Sequence, residues 1–436
     1  MTWTNWARNQ RCAPVSVVSP ASVDELSAAI VAAGAAGQRV KPVGAGHSFT
    51  SIAATDGVQL RLDQLSGLVS ADRATGLVTL HAGTRLHQIP ALLAPYGLAM
   101  ENLGDIDAQS ISGAISTGTH GTGGAFGGIA TQVRALSLVL ADGSVVTCSA
   151  EERPDLFAAA RVGLGALGVL ATVTLQCVPA FLLHAVEKPV PFEEMLGSFH
   201  ERVAAHDHVE FYWFPHTDWT LYKEDTRYPL EADRKPLGKI ASYIDDELLS
   251  NTAFGALCRL GHHVPGVIRT VNKVSARALG AREYRDLSHR VLVSPRRVRF
   301  CEMEYAVPRD SITDVLREVR SLIDRRGWRV SFPIEIRVAA ADDIWLSTAS
   351  ERESAYIAVH KYFRTPHEEY FRAVEDIVAT VAGRPHWGKL HYLSAADLAT
   401  RYPRFDDFVR LRDEIDPESR FSNEYLDRVL GSRVSS

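Results

Sequence analysis

Lys41-Pro42-Val43-Gly44-Ala45-Gly46-His47-Ser48-Phe49-Thr50 sets two glycines, a histidine and a serine in one tight turn directly after an apolar strand. Glycine lets the backbone turn sharply and approach a ligand, and consecutive N–H groups can then cradle a phosphate. A second run, Ser110 to Gly128, holds seven glycines, three threonines and His120. A loop so rich in glycine is costly to order without a ligand. Two such loops within the first 130 residues suggest a long ligand carrying a pyrophosphate.

The dinucleotide fingerprint is the obvious candidate, and context excludes it. That motif needs Gly-x-Gly-x-x-Gly between a strand and the helix it opens. Here Gly44-Ala45-Gly46 is followed by His47-Ser48-Phe49-Thr50 with no third glycine, then by loop and a strand over Val58 to Leu62.

Outward from the turn, residues 15–43 read as strand, helix, strand. Ser22 with Glu25 forms a capping box, Leu26, Ala29, Ile30 and Ala33 make the apolar stripe, and Gly37 stops the helix. Leu77 to His81 is a further strand, and Ala135–Leu140 with Ser144–Cys148 around Asp142-Gly143 is a hairpin. Val162 to Val186 lacks a formal charge and is long enough to span a bilayer. Its glycines at 163, 165 and 168 and its β-branched residues predict instead a glycine turn feeding a buried strand. Beyond Pro179 glycine thins out. Cys301, Met303, Tyr305 and Val307 alternate on one side of a strand; Phe332, Ile334, Ile336 and Val338, and Tyr356, Ala358, His360 and Tyr362, do likewise. With helices over Ser311–Arg325 and Glu368–Ala382 between them, these predict one antiparallel sheet covered by helices. Residues 235–295 read as a helical excursion of no clear place.

At 436 residues, 46% hydrophobic and 23% charged, the chain is long enough for two domains. A net charge of −5 argues against nucleic acid or an anionic membrane as partner. The N-terminus has no apolar core and does not read as a signal peptide. Five scattered cysteines without a Cys-x-x-Cys pair fit reduced thiols in a cytoplasmic protein and exclude a cysteine-based zinc site. Sixteen histidines raise the question of a metal, but none falls at ligand spacing, so none is expected.

Gly44-Ala45-Gly46-His47-Ser48, Ser112 to Gly123, Glu302-Met303-Glu304-Tyr305, Glu335-Ile336-Arg337 and His386-Trp387-Gly388-Lys389, in this order, resemble the sugar-lactone and alditol oxidoreductases of the vanillyl-alcohol-oxidase flavoprotein superfamily. The resemblance spans nearly the whole chain. It implies an α+β, two-domain VAO/PCMH-type FAD-binding fold with an antiparallel-sheet cap. FAD would occupy residues 1–180, the substrate domain 181–385, and 386–436 would return to the FAD domain. The implied reaction is oxidation of a sugar-derived alcohol by hydride transfer to flavin N5, an aldono-1,4-lactone of the L-gulono-1,4-lactone type leading over an open-chain polyol. The electrons would pass to O2 or to another acceptor, a protein or a quinone.

By the same resemblance His47 is the site of covalent attachment to the flavin. Val43, Gly44, Ala45, Gly46 and Ser48 would wrap the pyrophosphate, and Ser110, Ser112, Gly113, Ala114, Thr117, Gly118, Thr119 and Gly121 would complete the cradle. Gly165, Gly168 and Val169 would lie by the adenine. Gly104-Asp105 would pass the reactive face of the flavin, a small residue leaving room for oxygen. Glu335 and Arg337, two apart on a strand, leave by one face; spacing alone allows a solvent-facing ion pair, and the resemblance gives them substrate and reduced flavin to hold. His360, which a strand usually keeps as a core histidine, aligns with the family's substrate-side proton acceptor. Lys389 would bring positive charge to the substrate. Glu302 and Glu304 share a face and read as structure, and His120 is left open between packing and flavin contact.

Overall fold

The computed structural model describes residues 2–238, 254–278, 280–294 and 297–433. Part of the excursion expected over 235–295 lies outside them; Phe254–His263 and Ile268–Ala278 are helical.

After a short antiparallel pair, Trp3–Thr4 with Arg11–Cys12, come strand β1 (Ser16–Val18), helix α1 (Val23–Ala35), β2 (Val40–Val43) and β3 (Val58–Arg61). Strands β1 and β2 both pair in parallel with β3, and α1 is the crossover, burying Leu26, Ile30 and Ala33. Ser22 Oγ accepts the Glu25 N–H at 3.1 Å, a cap worth about 1 kcal/mol. The Glu25 carboxylate returns to Ala21 N, not Ser22 N, so the box is displaced by one residue. Gly37, at φ +67°, ends the segment. The C-terminal end of β2 projects the 44–48 turn.

A five-stranded antiparallel sheet follows, built from β4 (Leu68–Ala71), β5 (Leu77–His81), β6 (Val133–Val139), β7 (Val145–Ser149) and β8 (Val169–Gln176) in the order 7-6-8-5-4. The uncharged run is thus central strand, with Val169, Ala171, Val173 and Leu175 fully buried. Among the described residues no helix is long and apolar enough to cross a membrane. The second glycine run is not all loop. Ile111–Ser116 is a short helix, because Ser110 Oγ caps Gly113 N at 3.2 Å and Ile111, Ala114 and Ile115 bury one face.

An eight-stranded antiparallel sheet begins at Phe181 and ends at Pro385. Its strands are β9 (Phe181–Pro191), β10 (His208–Trp213), β11 (Trp219–Pro229), β12 (Arg282–Leu287), β13 (Phe300–Pro308), β14 (Ile334–Ala339), β15 (Ser354–Tyr362) and β16 (Arg384–Pro385), in the order 12-9-11-10-14-15-13-16. Phe332 lies just before β14, which starts only after Pro333. One face carries Met303, Tyr305, Ile334, Ile336, Val338, Ile357 and Val359 into a core shared with helices Phe192–Ala205, Ile312–Arg326 and Glu368–Ala379. Period two then puts Glu302, Glu304, Tyr356, Ala358, His360, Glu335, Arg337, Tyr212 and Glu210 on the opposite face.

That polar face meets the glycine run. Gly123 N donates to Val338 O at 3.0 Å, Val338 N to Thr122 Oγ1 at 3.2 Å, and His208 Nδ1 lies 2.7 Å from Thr122 O. The C-terminal segment packs back on the first unit: Val40 N donates to Arg420 O, Lys41 Nζ to Phe421 O at 2.9 Å, and Asn423 Nδ2 reaches the carbonyls of Ser51, Ile52 and Ala54.

Candidate active site

The two glycine loops line one groove of about 960 Å³, open to solvent. Val43, Gly44, Ala45, Gly46, His47 and Ser48 form one wall, Ser110, Ser112, Gly113 and Thr117 the other, and Gly165 and Gly168 one end. At Gly46, φ is +70°, a torsion that side chains rarely adopt. Among the described residues the N–H groups of Ala45, Gly46, His47 and Ser48 donate to no protein acceptor. Four consecutive unclaimed amides on a groove wall are the donor set an anionic pyrophosphate needs, so these residues fit FAD.

His47 stacks on Trp6, with centroids 5.2 Å apart and planes at 20°. Burial, then repulsion from Lys389 and Arg85, lowers its pKa to about 4, so the imidazole is neutral at neutral pH.

Other expected cofactor residues lie off the groove wall. Ala114 and Val169 are fully buried, the first in the capped helix and the second in β8. Gly118, at φ +76°, follows the short helix, and Thr119 Oγ1 bonds the Gln109 amide at 3.1 Å. Gly104 and Gly121 are close-packing positions: a Cβ on Gly121 would meet Leu103 O at 2.2 Å, and one on Gly104 would meet Thr119 Cγ2 at 2.9 Å and His120 O at 3.1 Å. A side chain at 104 would therefore have to push Thr119 aside and crowd the His120 carbonyl. Gly104 faces a second cleft, with Leu86, His87, Asp107 and His289. Asp105 accepts Ser294 N through its carbonyl at 3.1 Å.

The groove is joined to the polar sheet face by one turn. Phe49 N donates to Gly388 O at 2.7 Å, and Thr50 Oγ1 to Trp387 O at 3.2 Å. On its other side the turn hooks onto β13, with His386 N on Glu304 O at 3.0 Å and Leu390 N on Glu302 O at 2.9 Å. Lys389 therefore stands where groove and sheet meet, its ammonium ion-paired with Glu302. Burial works against that charge, but Glu302 and Glu304 outweigh it and raise the lysine pKa. Lys389 is thus a committed ion-pair member, more constrained than the substrate-facing charge expected from the sequence.

Arg337 is 9% exposed, which rules out a solvent-facing pair. Its Nη2 lies 2.5 Å from Glu335 Oε1 and its Nε 2.9 Å from Glu210 Oε2. Burial disfavours the guanidinium charge, yet Glu335 and Glu210 together hold its pKa well above the ordinary value. Tyr212 OH donates to Glu335 Oε1 at 3.2 Å, and Lys223 Nζ backs Glu210 at 3.4 Å. His360 is buried opposite Glu302, its Nε2 3.6 Å from Glu302 Oε1.

Sequence reasoning did not single out Glu210, Tyr212 and Lys223, and it read Glu302 and Glu304 as structure. The alternation Glu210-x-Tyr212 was the available signal, masked by its aromatic neighbours in His208–Trp213. The structure also gathers His120, Glu304 and His386, all buried, with potential ligand atoms within 4.8 Å of one another, which no spacing in the chain announces. His120 Nε2 lies 3.3 Å from Glu304 Oε1, its Nδ1 2.8 Å from Gly121 O, and its ring stacks on Tyr356 at 3.6 Å. Gly388 N donates to His386 Nδ1 at 3.0 Å.

Comparison with known proteins gives two family matches: an FAD binding domain over residues 14–149 and D-arabinono-1,4-lactone oxidase over residues 173–429. The L-gulono-1,4-lactone dehydrogenase of Mycobacterium tuberculosis is 42% identical over 98% of this chain and 99% of its own. An alditol oxidase from Streptomyces sp. is 33% identical over 98% of each. Among solved structures, a solvent-stable cholesterol oxidase aligns with a TM-score of 0.82 at 20% identity, covering 99% of this chain and 97% of that one. That likeness is one of fold alone.

Proposed function

The chain belongs to the D-arabinono-1,4-lactone oxidase family, FAD-dependent oxidoreductases acting on CH–OH groups on a VAO/PCMH-type α+β fold, and we propose that it oxidises an aldono-1,4-lactone of the L-gulono-1,4-lactone type. The observation that carries this reading is the junction at Gly388. Four unclaimed amides beside His47 stand one backbone hydrogen bond away from a turn whose lysine enters a buried carboxylate–histidine–guanidinium face.

Residues 43–48, 110–117 and 165–168 would hold FAD, with 1–180 and 386–436 as the cofactor unit and 181–385 as the substrate unit. FAD supplies the acceptor for the hydride leaving the carbinol carbon. His360 takes the hydroxyl proton at Nδ1, the ring nitrogen turned away from Glu302. Arg337, locked between two carboxylates, presents fixed positive charge in a dry site, where charge stabilisation is strong and needs no reorganisation. Glu335, steadied by Tyr212, accepts a substrate hydroxyl. His47, neutral and half-buried, has a ring lone pair available for a covalent bond to the flavin.

The alditol oxidase relative supports an open-chain polyol as the second reading, because it matches over the same length. Relatives are named both oxidase and dehydrogenase, so oxygen and another acceptor both stand as proposals. Five free cysteines accord with a cytoplasmic protein. Acid precipitation of the purified protein tests the cofactor: yellow colour in the pellet is expected, and its release by His47→Ala. A colourless protein would overturn the reading. A panel of aldonolactones and polyols, scored by peroxide release and dye bleaching, tests substrate and acceptor.

A further inference from the structure

Glu302 and His360 are directly opposed across the β13–β15 ladder, and both are at least nine-tenths buried. The two carboxylate oxygens of Glu302 are divided. Oε2 holds the Lys389 ammonium, and Oε1 faces His360 Nε2 at 3.6 Å. A bare nitrogen lone pair facing a buried carboxylate would repel it, so a ring that carries a single proton holds it on Nε2. The other nitrogen, Nδ1, is buried and has no hydrogen-bond partner among the described residues. Aromatic neighbours fix the ring plane: Phe300 meets it edge to face at 5.1 Å and Phe332 lies nearly parallel at 6.0 Å.

The Lys389 turn is bonded to the backbone of Glu302 and Glu304 on the same strand. Glu304, the second carboxylate on this face, is occupied by His120, which leaves Lys389 to Glu302.

We propose that Glu302 is the positioning residue of this site: it holds His360 as the Nε2–H tautomer, so that Nδ1 is the proton acceptor. The proposal rests on the alcohol-oxidising reading above. In the step it would serve, the carbinol C–H bond would break with both electrons and its hydrogen leaving to a bound oxidised flavin. The O–H bond breaks with its proton passing to His360 Nδ1, and the C=O bond forms. The imidazolium so produced lies against the Glu302 carboxylate, which stabilises it as charge develops.

Two measurements test this on the holoenzyme. Long-range 1H–15N spectra of 15N-histidine-labelled protein, with His360 assigned by loss of its signals in His360→Gln, should give the Nε2–H pattern. An Nδ1–H pattern overturns the proposal without any reference to turnover. Glu302→Gln keeps shape and removes charge. Its flavin content should match wild type although its melting temperature falls, because Lys389 loses its ion-pair partner, while anaerobic flavin reduction by the best lactone or polyol slows at least 100-fold and KM changes less than threefold. Glu302→Asp should recover at least tenfold of that rate. A loss under threefold in Glu302→Gln, or a loss carried wholly by KM, overturns the proposal. Wild-type protein that no lactone or polyol reduces would instead sink the functional reading itself.

Discussion

Gly44→Ala should damage the cofactor groove through a single contact, and that contact can be removed independently. The backbone at Gly44, unlike that at Gly46, lies outside the left-handed region, so alanine is not strained by its own torsions. Its Cβ, however, would sit 2.6 Å from Ser110 Oγ, while Ser110 Cβ would be at an ordinary 3.6 Å. Ser110 Oγ is not free to swing aside, since it caps Gly113 N at 3.2 Å. Losing that cap costs about 1 kcal/mol, and the residual overpacking about 1–2 kcal/mol. Both residues line the groove, so the sum of about 2–3 kcal/mol should weaken flavin binding roughly 30- to 140-fold. Ser110→Ala alone loses only the cap, roughly fivefold. The double variant Gly44→Ala/Ser110→Ala should be no worse than Ser110→Ala, because only the 3.6 Å contact remains. The resulting coupling of about 2–3 kcal/mol lies far above the few tenths seen between independent sites. The assay is FAD titration into flavin-free protein in a His47→Ala background, which keeps binding reversible. Additive losses in the double variant, or a Gly44→Ala effect below threefold, would refute the reasoning.

Two further outcomes follow from the sheet face. His208 is fully buried against Thr122 O, and burial, aided by Arg227 and only partly opposed by that carbonyl, lowers its pKa to about 4 from 6.5. Between those values the unfolded chain binds more protons, so the contribution is complete above pH 6.5 and drops by about 3 kcal/mol as pH falls to 4. Urea unfolding of wild type and His208→Gln across this range should show the difference shrinking with acid; a constant difference would contradict it. Arg337→Met leaves Glu335 and Glu210 facing each other without their cation, a loss of about 3–5 kcal/mol. Substrate-driven flavin reduction should fall at least 100-fold in stopped flow. Arg337→Lys should restore only part, because an ammonium cannot fork to both carboxylates; full recovery would argue against the bidentate role.

Legibility in this chain divides along a physical line. Where the backbone demands an unusual torsion or a close approach, the demand appears as residue identity. The turns at Gly37, Gly46 and Gly143 and the glycine-delivered strand β8 could therefore be read directly. Periodicity likewise announced β13, β14 and β15, since each must bury one face. It could not announce their register. Glu302 meets His360 only because β13 and β15 pair with those residues opposed; a slip of one residue in either strand would turn that strand's polar residue into the core instead. Register is fixed by the summed burial of Met303, Tyr305, Ile357 and Val359 on the other face. The apolar side of the sheet thus determines the geometry of the polar side.

The same reasoning explains why Glu302 and Glu304 read as ordinary structure. Two carboxylates alternating with Cys301, Met303 and Tyr305 announce only that one side of the strand is polar. What alternation cannot announce is their burial, at 5% and 6% exposure, where an unpaired carboxylate is very costly. Each must therefore have a partner brought to it, and the chain supplies them from distant segments: the Lys389 ammonium for Glu302 and the His120 ring for Glu304. Those two pairs are also the contacts that clamp the sheet to the Gly388 turn and to the glycine run. Removing either carboxylate should therefore loosen the seam between cofactor groove and sheet as well as the chemistry on it.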